Sequence, residues 1–460
     1  MKKGRHYSKE EITYLSQSVI GKSFREIRDA DLIILEDEKV TKGGLGGIIE
    51  KNLFGIDANG ESEPDFIDAG IELKVTPYKK NKDNSLSAKE RLVLNMIDFN
   101  TEYKNNFETS HFWFKNNKLQ ILWYLHEDNK EKLDFKVTHE KLLELSLSED
   151  LKQIKEDWDL IINKVRMGKV HEISEADTMY LGACTKGANS NDLRTQPFSD
   201  IKTMRRAFCF KSSYMTQLVR KYIGNYSDVE KILNNNDISF EDYVDGIVNK
   251  YKGLTQTELK NLFNIESNAK NINGIIVSRM FNVSGNLSNT DEFLKANIVP
   301  RTIRIEQNGR IKESFPFPTF KYTEIINEEW EDCEFRDILE TTKYMFFVFV
   351  NNGEDYVFTD IKLWNMPETD IETYVKEVWL NTKETVLNGN IVKEISPDGY
   401  RITNFPGMSD NPVCHVRPHA QNAADTYPLP VTDKITGLNE YTKHCFWLNN
   451  KYVENILKDI

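Results

Sequence analysis

Three ionisable residues fall close together in EPDFIDAGIELKVTPYK, residues 63–79: Asp65, Glu72 and Lys74. From Gly70 to Tyr78 apolar and polar residues alternate, which is the pattern of a strand. Residues two apart point to the same face of a strand. Glu72 and Lys74 therefore share one face, and Ile71, Leu73 and Val75 share the other, against a core. Asp65 lies just upstream, across a turn expected at DAG (68–70). A strand pair or a bend there brings it alongside Glu72. Two carboxylates converging on one point make a hard, oxygen-only site suited to Mg2+, and the carbonyl of Leu73 can be a third ligand. Such an ion polarises a phosphodiester, lowers the pKa of a bound water and neutralises a leaving oxygen. Lys74 beside it can hold the attacking water or stabilise charge developing on the phosphate. Glu50 can add a carboxylate from outside the strand. An Asp, a Glu and a Lys around one strand also arise on ordinary solvated surfaces, so the spacing has to be read with its surroundings.

The elements that must position these residues are legible nearby. SKEEITYLSQSVI (8–20) has a Ser cap, a Glu in the capping-box position and helical apolar spacing. SFREIRDADLIIL begins a second short helix. GGLGGIIEKNLFG (43–55) reads as a Gly-rich loop feeding a helix that carries Ile48, Ile49, Leu53 and Phe54 inward, with Glu50 near its start. HFWFKNNKLQILWYLHED (111–128) reads as two strands joined at KNNK, and residues 151–170 as an amphipathic helix. Strands and helices interleave, which indicates a mixed α/β layer fold.

The chain has 460 residues, more than one ordinary core accommodates. A net charge of −12 argues against a general nucleic-acid coat protein, though not against a DNA enzyme whose positive charge is confined to a cleft. Two basic clusters fit such a cleft: KVTPYKKNK (74–82) and KTMRRAFCFK (202–211), the latter with Arg206 and Lys211 as candidate DNA contacts. Solvated surface is the plainer reading of each. No apolar run approaches the length of a membrane span, and the N-terminal residues lack the apolar core of a signal peptide. The five cysteines form no CxxC pair, so a zinc site is not expected; reduced thiols in a cytoplasmic protein are.

The chain also repeats itself. A constant separation of 227 positions relates Gly47 to Gly274, Asp65 to Glu292, Glu72 to Val299 and Lys74 to Arg301. DWDLIINKVRMGKVHEIS (157–174) resembles VWLNTKETVLNGNIVKEIS (378–396), so that Trp158 and Gly168 are answered by Trp379 and Gly389. CTKGANSND (184–192) resembles RPHAQNAAD (417–425), and each is followed by an aromatic, strand-like segment. Two tandem copies of one fold account for this: a first domain over 1–225, an Asn- and Asp-rich linker over 226–240, and a second domain over 241–460. In the second copy Glu50 becomes Val277 and Glu72 becomes Val299. A site missing two carboxylates is not expected to cut.

GGLGGIIEKNLFG, EPDFIDAGIELKVTP and ETSHFWFK, in this order and spacing, resemble the MutH mismatch-repair nicking endonucleases. The likeness continues through EDWDLIINKVRMGKVHEIS and KGAN and covers most of residues 10–225. The two-domain layout, with KERLVLN, CTKGAN and SDIKTMRRAF, resembles still more the GATC-cleaving type II restriction endonucleases of the Staphylococcus (Sau) type. The resemblance implies the PD-(D/E)xK nuclease fold, spelled here Pro64-Asp65 and Glu72-Leu73-Lys74, in two copies of which the second is degenerate. It implies Mg2+ at Asp65, Glu72 and Leu73, catalytic roles for Glu50, Asp65, Glu72, Lys74 and Lys115, a DNA-backbone contact at Lys42, and base reading at Lys186. The MutH enzymes carry Arg-Pro-Lys where this chain has Cys184-Thr185-Lys186, and a tyrosine where Cys209 falls. The second copy keeps Arg417 and Pro418, with His419 in place of the lysine, so Arg417 and His419 are candidate DNA contacts of an effector domain that holds a second site. The resemblance further implies double-stranded GATC DNA as substrate, cleavage before the G, a possible dimer on DNA and a cognate methyltransferase as genetic partner. Two other readings are a mismatch-repair nickase, whose likeness stops at the first domain, and a DNA-binding protein on a silent nuclease scaffold, which the complete set of candidate catalytic residues disfavours.

Overall fold

The computed structural model describes residues 4–30, 44–57, 62–186, 192–224, 229–233, 238–267, 269, 271–313 and 315–460. The chain forms two compact units: Met1–Ser239 together with Asn289–Asn297, and Phe240–Ser288 together with Ile298–Ile460.

In the first unit, helices Lys9–Ser18 and Phe24–Asp29 both start with reciprocal capping, Ser8 with Glu11 and Ser23 with Glu26. The segment carrying Glu50 is helical from Gly44 to Ile48 and widens into a π-helical turn over Ile49–Phe54, closed by Gly55 in the left-handed region. Ile48, Ile49 and Phe54 are buried, and Leu53 packs against the same core half-buried. Strand Glu72–Lys80 runs parallel to Lys118–Leu125, which pairs antiparallel with Val137–Glu144. Leu73 and Leu122 carry the apolar face of this sheet onto Ile49, Phe54 and Phe66. A second sheet is ordered Leu92–Met96, Arg206–Phe210, Leu181–Thr185. Helix Leu151–Arg166 buries Trp158, Ile161, Ile162 and Val165.

One expected element differs. Residues 111–116 are a helix, not the first of two strands. Ser110 caps it by accepting the Trp113 N–H at 3.0 Å, and strand pairing begins only at Lys118. The aromatic run reads as strand by propensity, but the cap and the burial of Phe112 hold it helical.

The second unit repeats the plan. Strand Ile298–Ile305 runs parallel to Lys343–Asn351, which pairs antiparallel with Tyr356–Trp364. A second sheet is ordered Phe315–Thr319, His444–Leu448, Cys414–Pro418. Helix Lys376–Leu387 buries Trp379. The repeated glycines show why they recur. Gly168 has φ +69°, and a Cβ there would lie 2.5 Å from the Phe198 carbonyl oxygen. Gly389 has φ +56°, and its Cβ would lie 2.7 Å from the Thr432 carbonyl oxygen. In both copies a hairpin backbone closes onto the residue just past the C-cap of the long helix, where only glycine fits without strain.

Of the linker, 229–233 and 238–240 lie within the described residues, while 226–228 and 234–237 fall outside them. Ile232 is buried, and the Ile232 and Leu233 N–H groups donate to the Glu292 carboxylate at 2.9–3.1 Å. Helix Phe240–Tyr251 then opens the second unit. Helix Asp291–Ala296 belongs to the first: Lys295 Nζ lies 2.7 Å from both Asp150 and Asp291, and its carbonyl accepts the Ser213 hydroxyl. Among the described residues no helix is long and apolar enough to cross a membrane. The five cysteines are buried and unbridged.

Candidate active site

The turn expected at 68–70 folds residues 63–74 back on themselves. Phe66 and Ile71 exchange backbone hydrogen bonds at 2.9 and 3.2 Å, and Gly70 takes φ +62°. This sets Asp65 beside Glu72. The Asp65 carboxylate accepts the Leu73 N–H at 2.9 Å, and the Asp65 N–H donates to Glu72 Oε2 at 3.2 Å. Lys74 Nζ donates to Glu72 Oε1 at 3.0 Å and to the Leu94 carbonyl at 3.1 Å. Lys115, from the capped helix, lies 3.5 Å from Glu72 Oε2 and donates to the Glu63 carbonyl at 3.0 Å.

Glu50 belongs to the same electrostatic group. Its carboxyl is pushed up by burial and then by the charge of Glu72, and is drawn down by Lys74 and Lys115. Asp65 is raised to about 7, first by burial and second by Glu72, against the pull of the Leu73 N–H and Lys74. Crowded carboxylates in a partly dry pocket hold protons unless a cation joins them. Sequence spacing missed the residues that steady this arrangement. Arg5 donates to the Pro64 carbonyl at 2.7 Å and the Asp65 carbonyl at 3.2 Å. His111 Nε2 donates to the Ser62 carbonyl at 2.7 Å, and its Nδ1 accepts from Asn95 at 3.3 Å. Arg5 sits sixty positions from its acceptor at Asp65, so no local pattern exposes it.

Among the described residues no three His, Cys, Asp or Glu side chains form a cluster able to hold a metal by themselves. The donors present are the Asp65 and Glu72 carboxylates and main-chain oxygen. Mg2+ is commonly held this way, with one or two carboxylates and the remaining positions left to water and phosphate. The all-oxygen donor set and the proton-holding Asp65 fit a hard divalent cation.

The candidate DNA contacts divide. Lys42 lies outside the described residues. Lys186 is exposed, and its N–H donates to the Arg205 carbonyl at 2.7 Å. Arg206 and Lys211 are 4% and 1% exposed. The Arg206 guanidinium donates to the Ala183 carbonyl at 3.1 Å, and Lys211 Nζ to the Thr178 carbonyl at 2.6 Å. Both brace the interior, and the expectation that they meet DNA is corrected. Position along the chain is the reason: Arg206 opens a strand, Arg206–Phe210, that is buried on both faces, and Lys211 directly follows it, while Lys202 and Arg205 of the same cluster precede that strand and are exposed. In the second unit Arg417 stacks on Trp447 at 3.7 Å, and His419 meets the same ring edge-on at 5.1 Å. One tryptophan thus gathers both candidates, leaving His419 exposed.

The family model for the DNA mismatch repair enzyme MutH matches residues 54–157. Over 99% of both chains, the sequence is 35% identical to the type II restriction enzyme Sau3AI of Staphylococcus aureus. It is 27% identical to the DNA mismatch repair protein MutH of Vibrio campbellii and 26% identical to that of Vibrio cholerae, in each case over 47% of this chain and 96% of the relative.

Proposed function

Since the chain belongs to the Sau3AI family of type II restriction enzymes, site-specific deoxyribonucleases built on a MutH-like domain, we propose that it hydrolyses double-stranded DNA at unmodified GATC, before the G, in a Mg2+-dependent reaction at Glu50, Asp65, Glu72, Lys74 and Lys115. The observation that carries this is the convergence of Lys74 and Lys115 on the Glu72 carboxylate, with Asp65 folded against it. Asp65, Glu72 and the Leu73 carbonyl would hold Mg2+, which supplies charge neutralisation at the phosphodiester and a more acidic water. Lys74 and Lys115 present two ammonium groups where negative charge develops on the phosphate. Anchoring of Lys74 to the Leu94 carbonyl and of Lys115 to the Glu63 carbonyl positions them before substrate arrives. Arg5 and His111 brace the loop that carries Asp65.

Lys186, and Lys42 on the backbone, are the proposed DNA contacts of the first unit; an ammonium suits the acceptor edge of guanine. In the second unit, Arg417 and His419 around Trp447 are the proposed contacts to a second copy of the site, which would act as an allosteric effector. One nuclease site per chain implies two chains, or two successive events, for each double-strand break, and a methyltransferase partner would protect the host's own DNA. The test is a digest of unmethylated plasmids bearing one or two GATC sites, with and without Mg2+, followed by sequencing of the ends. Mg2+-dependent four-base 5′ overhangs at GATC, with faster cutting of the two-site plasmid, are expected. Nicks alone would favour a mismatch-repair activity, and equal rates on both plasmids would remove the effector role. Lys74→Ala leaving cleavage unchanged would sink the site assignment.

A further inference from the structure

At the place in the second unit that corresponds to the nuclease site, a cavity of about 410 Å3 remains open. Gly274, Val277, Pro300 and Arg301 line it, the counterparts of Gly47, Glu50, Leu73 and Lys74. The charge has reversed. Val277 and Val299 have replaced two carboxylates, and Glu292, the counterpart of Asp65, is committed in the first unit to the Ile232 and Leu233 N–H groups. Arg301 is exposed, with its guanidinium 5.4 Å from the centre of the Phe315 ring. Among the described residues no carboxylate forms an ion pair with it. The cavity's one acidic residue, Glu313, is held by Arg304 through both the guanidinium and the backbone N–H, so its charge is already met. Asn271, Asn286 and Ser288 add neutral polar groups to the lining.

We propose that this cavity is a metal-free phosphate site in which Arg301 grips a backbone phosphodiester of DNA bound to the second unit. The inference rests on the effector reading above. A planar guanidinium braced on an aromatic ring offers paired donors that match a phosphate. The nuclease site presents crowded carboxylates that repel a phosphate until a divalent cation arrives. The second cavity presents an arginine with nothing to neutralise it, and needs no cation. With the carboxylates gone, nothing there activates a water, so the strand is held and not cut.

The test uses the full chain in EDTA, where no cleavage occurs. Binding of a GATC duplex is followed by fluorescence anisotropy across a salt series, with the stoichiometry measured in parallel. Removing one phosphate contact flattens the slope of log K against log salt by about 0.9. Arg301→Gln is expected to do this, Arg301→Lys to restore most of the slope, and Arg310→Gln, outside the cavity, to change nothing. Gly274→Asp supplies a second route, because a Cβ at Gly274 meets no atom within 4 Å and the carboxylate would enter the same space. It should flatten the slope as Arg301→Gln does without disturbing the Arg301–Phe315 packing. Inorganic phosphate, titrated by calorimetry, separates the two sources of the anion. Two duplexes per chain with the slope lowered supports the proposal. Two duplexes per chain with the slope unchanged overturns it and leaves the effector reading intact. One duplex per chain overturns the effector reading and the DNA source together. If Arg301-dependent binding of inorganic phosphate persists in that case, the cavity is a site for a free anion; if it does not, the cavity holds no phosphate at all.

Discussion

Asp65→Asn is expected to stabilise the protein while abolishing cleavage. The Asp65 carboxyl sits at about 7 in the folded protein against an ordinary 3.8, chiefly through burial and then through Glu72. At about 1.4 kcal/mol per pKa unit, the charged form carries up to about 4 kcal/mol of strain. Glu72 relaxes as Asp65 changes, so a net gain of about 1–3 kcal/mol at pH 8 is the working figure. Between pH 3.8 and about 7 the folded protein holds a proton that the unfolded chain releases. Stability contributed by this group therefore falls as pH rises through that window and levels off above it. Asparagine keeps the acceptor for the Leu73 N–H and has no charge to strain. The assay is thermal unfolding in EDTA from pH 4 to 8.5. About 2–4 °C per kcal/mol is expected for a unit of this size, so the variant should melt several degrees above the parent at pH 8, and the gap should close towards pH 4. Mg2+ should raise the melting point of the parent and not of the variant. An unchanged or lower melting point for the variant at pH 8 would refute the idea that the site stores carboxylate strain for a cation to relieve.

Other outcomes follow from single contacts. Lys74→Ala should lower the cleavage rate by about 10²–10³, the usual range for losing one donor to a developing oxyanion, with duplex binding in EDTA retained. Arg5→Gln removes the brace on the Pro64 and Asp65 carbonyls; single-turnover cleavage should slow at least about 10-fold while unfolding shifts little. Lys295→Met leaves buried Asp150 and half-buried Asp291 without their cation and should cost about 3–5 kcal/mol by denaturant unfolding, partly recovered by adding Asp150→Leu. Lys211→Met should destabilise the fold yet leave the salt dependence of DNA binding unchanged, because its ammonium serves the Thr178 carbonyl.

Short-range rules carried much of the first unit. Alternation marked the strand that begins at Glu72, the Ser8–Glu11 pair marked a helix start, and apolar spacing marked Leu151–Arg166. The turn at Gly70 and its effect on Asp65 followed from the same local reading. Where long-range packing decides, local signals failed. HFWF has strand propensity, yet the Ser110 cap and the burial of Phe112 make it helical. KTMRRAFCFK shows charge but not which way each side chain faces, so Arg206 and Lys211 passed for surface residues. Arg5 acts on a loop sixty positions away, and nothing in its own neighbours announces it. The repeat was visible as residue identities, whereas the reassignment of 289–297 to the first unit came from ion pairs that no periodicity encodes.

That reassignment makes the two halves of the gene unequal to the two halves of the protein. The stretch Asn289–Asn297 lies within the second copy of the repeat but completes the first unit. The MutH relatives match less than half of this chain over nearly their whole length. A chain ending at the polar linker would leave Asp150 without the Lys295 ammonium and the Ile232 and Leu233 amides without the Glu292 carboxylate. The repeat is therefore not severable at the linker: the first unit takes a helix that lies, in sequence, inside the second copy.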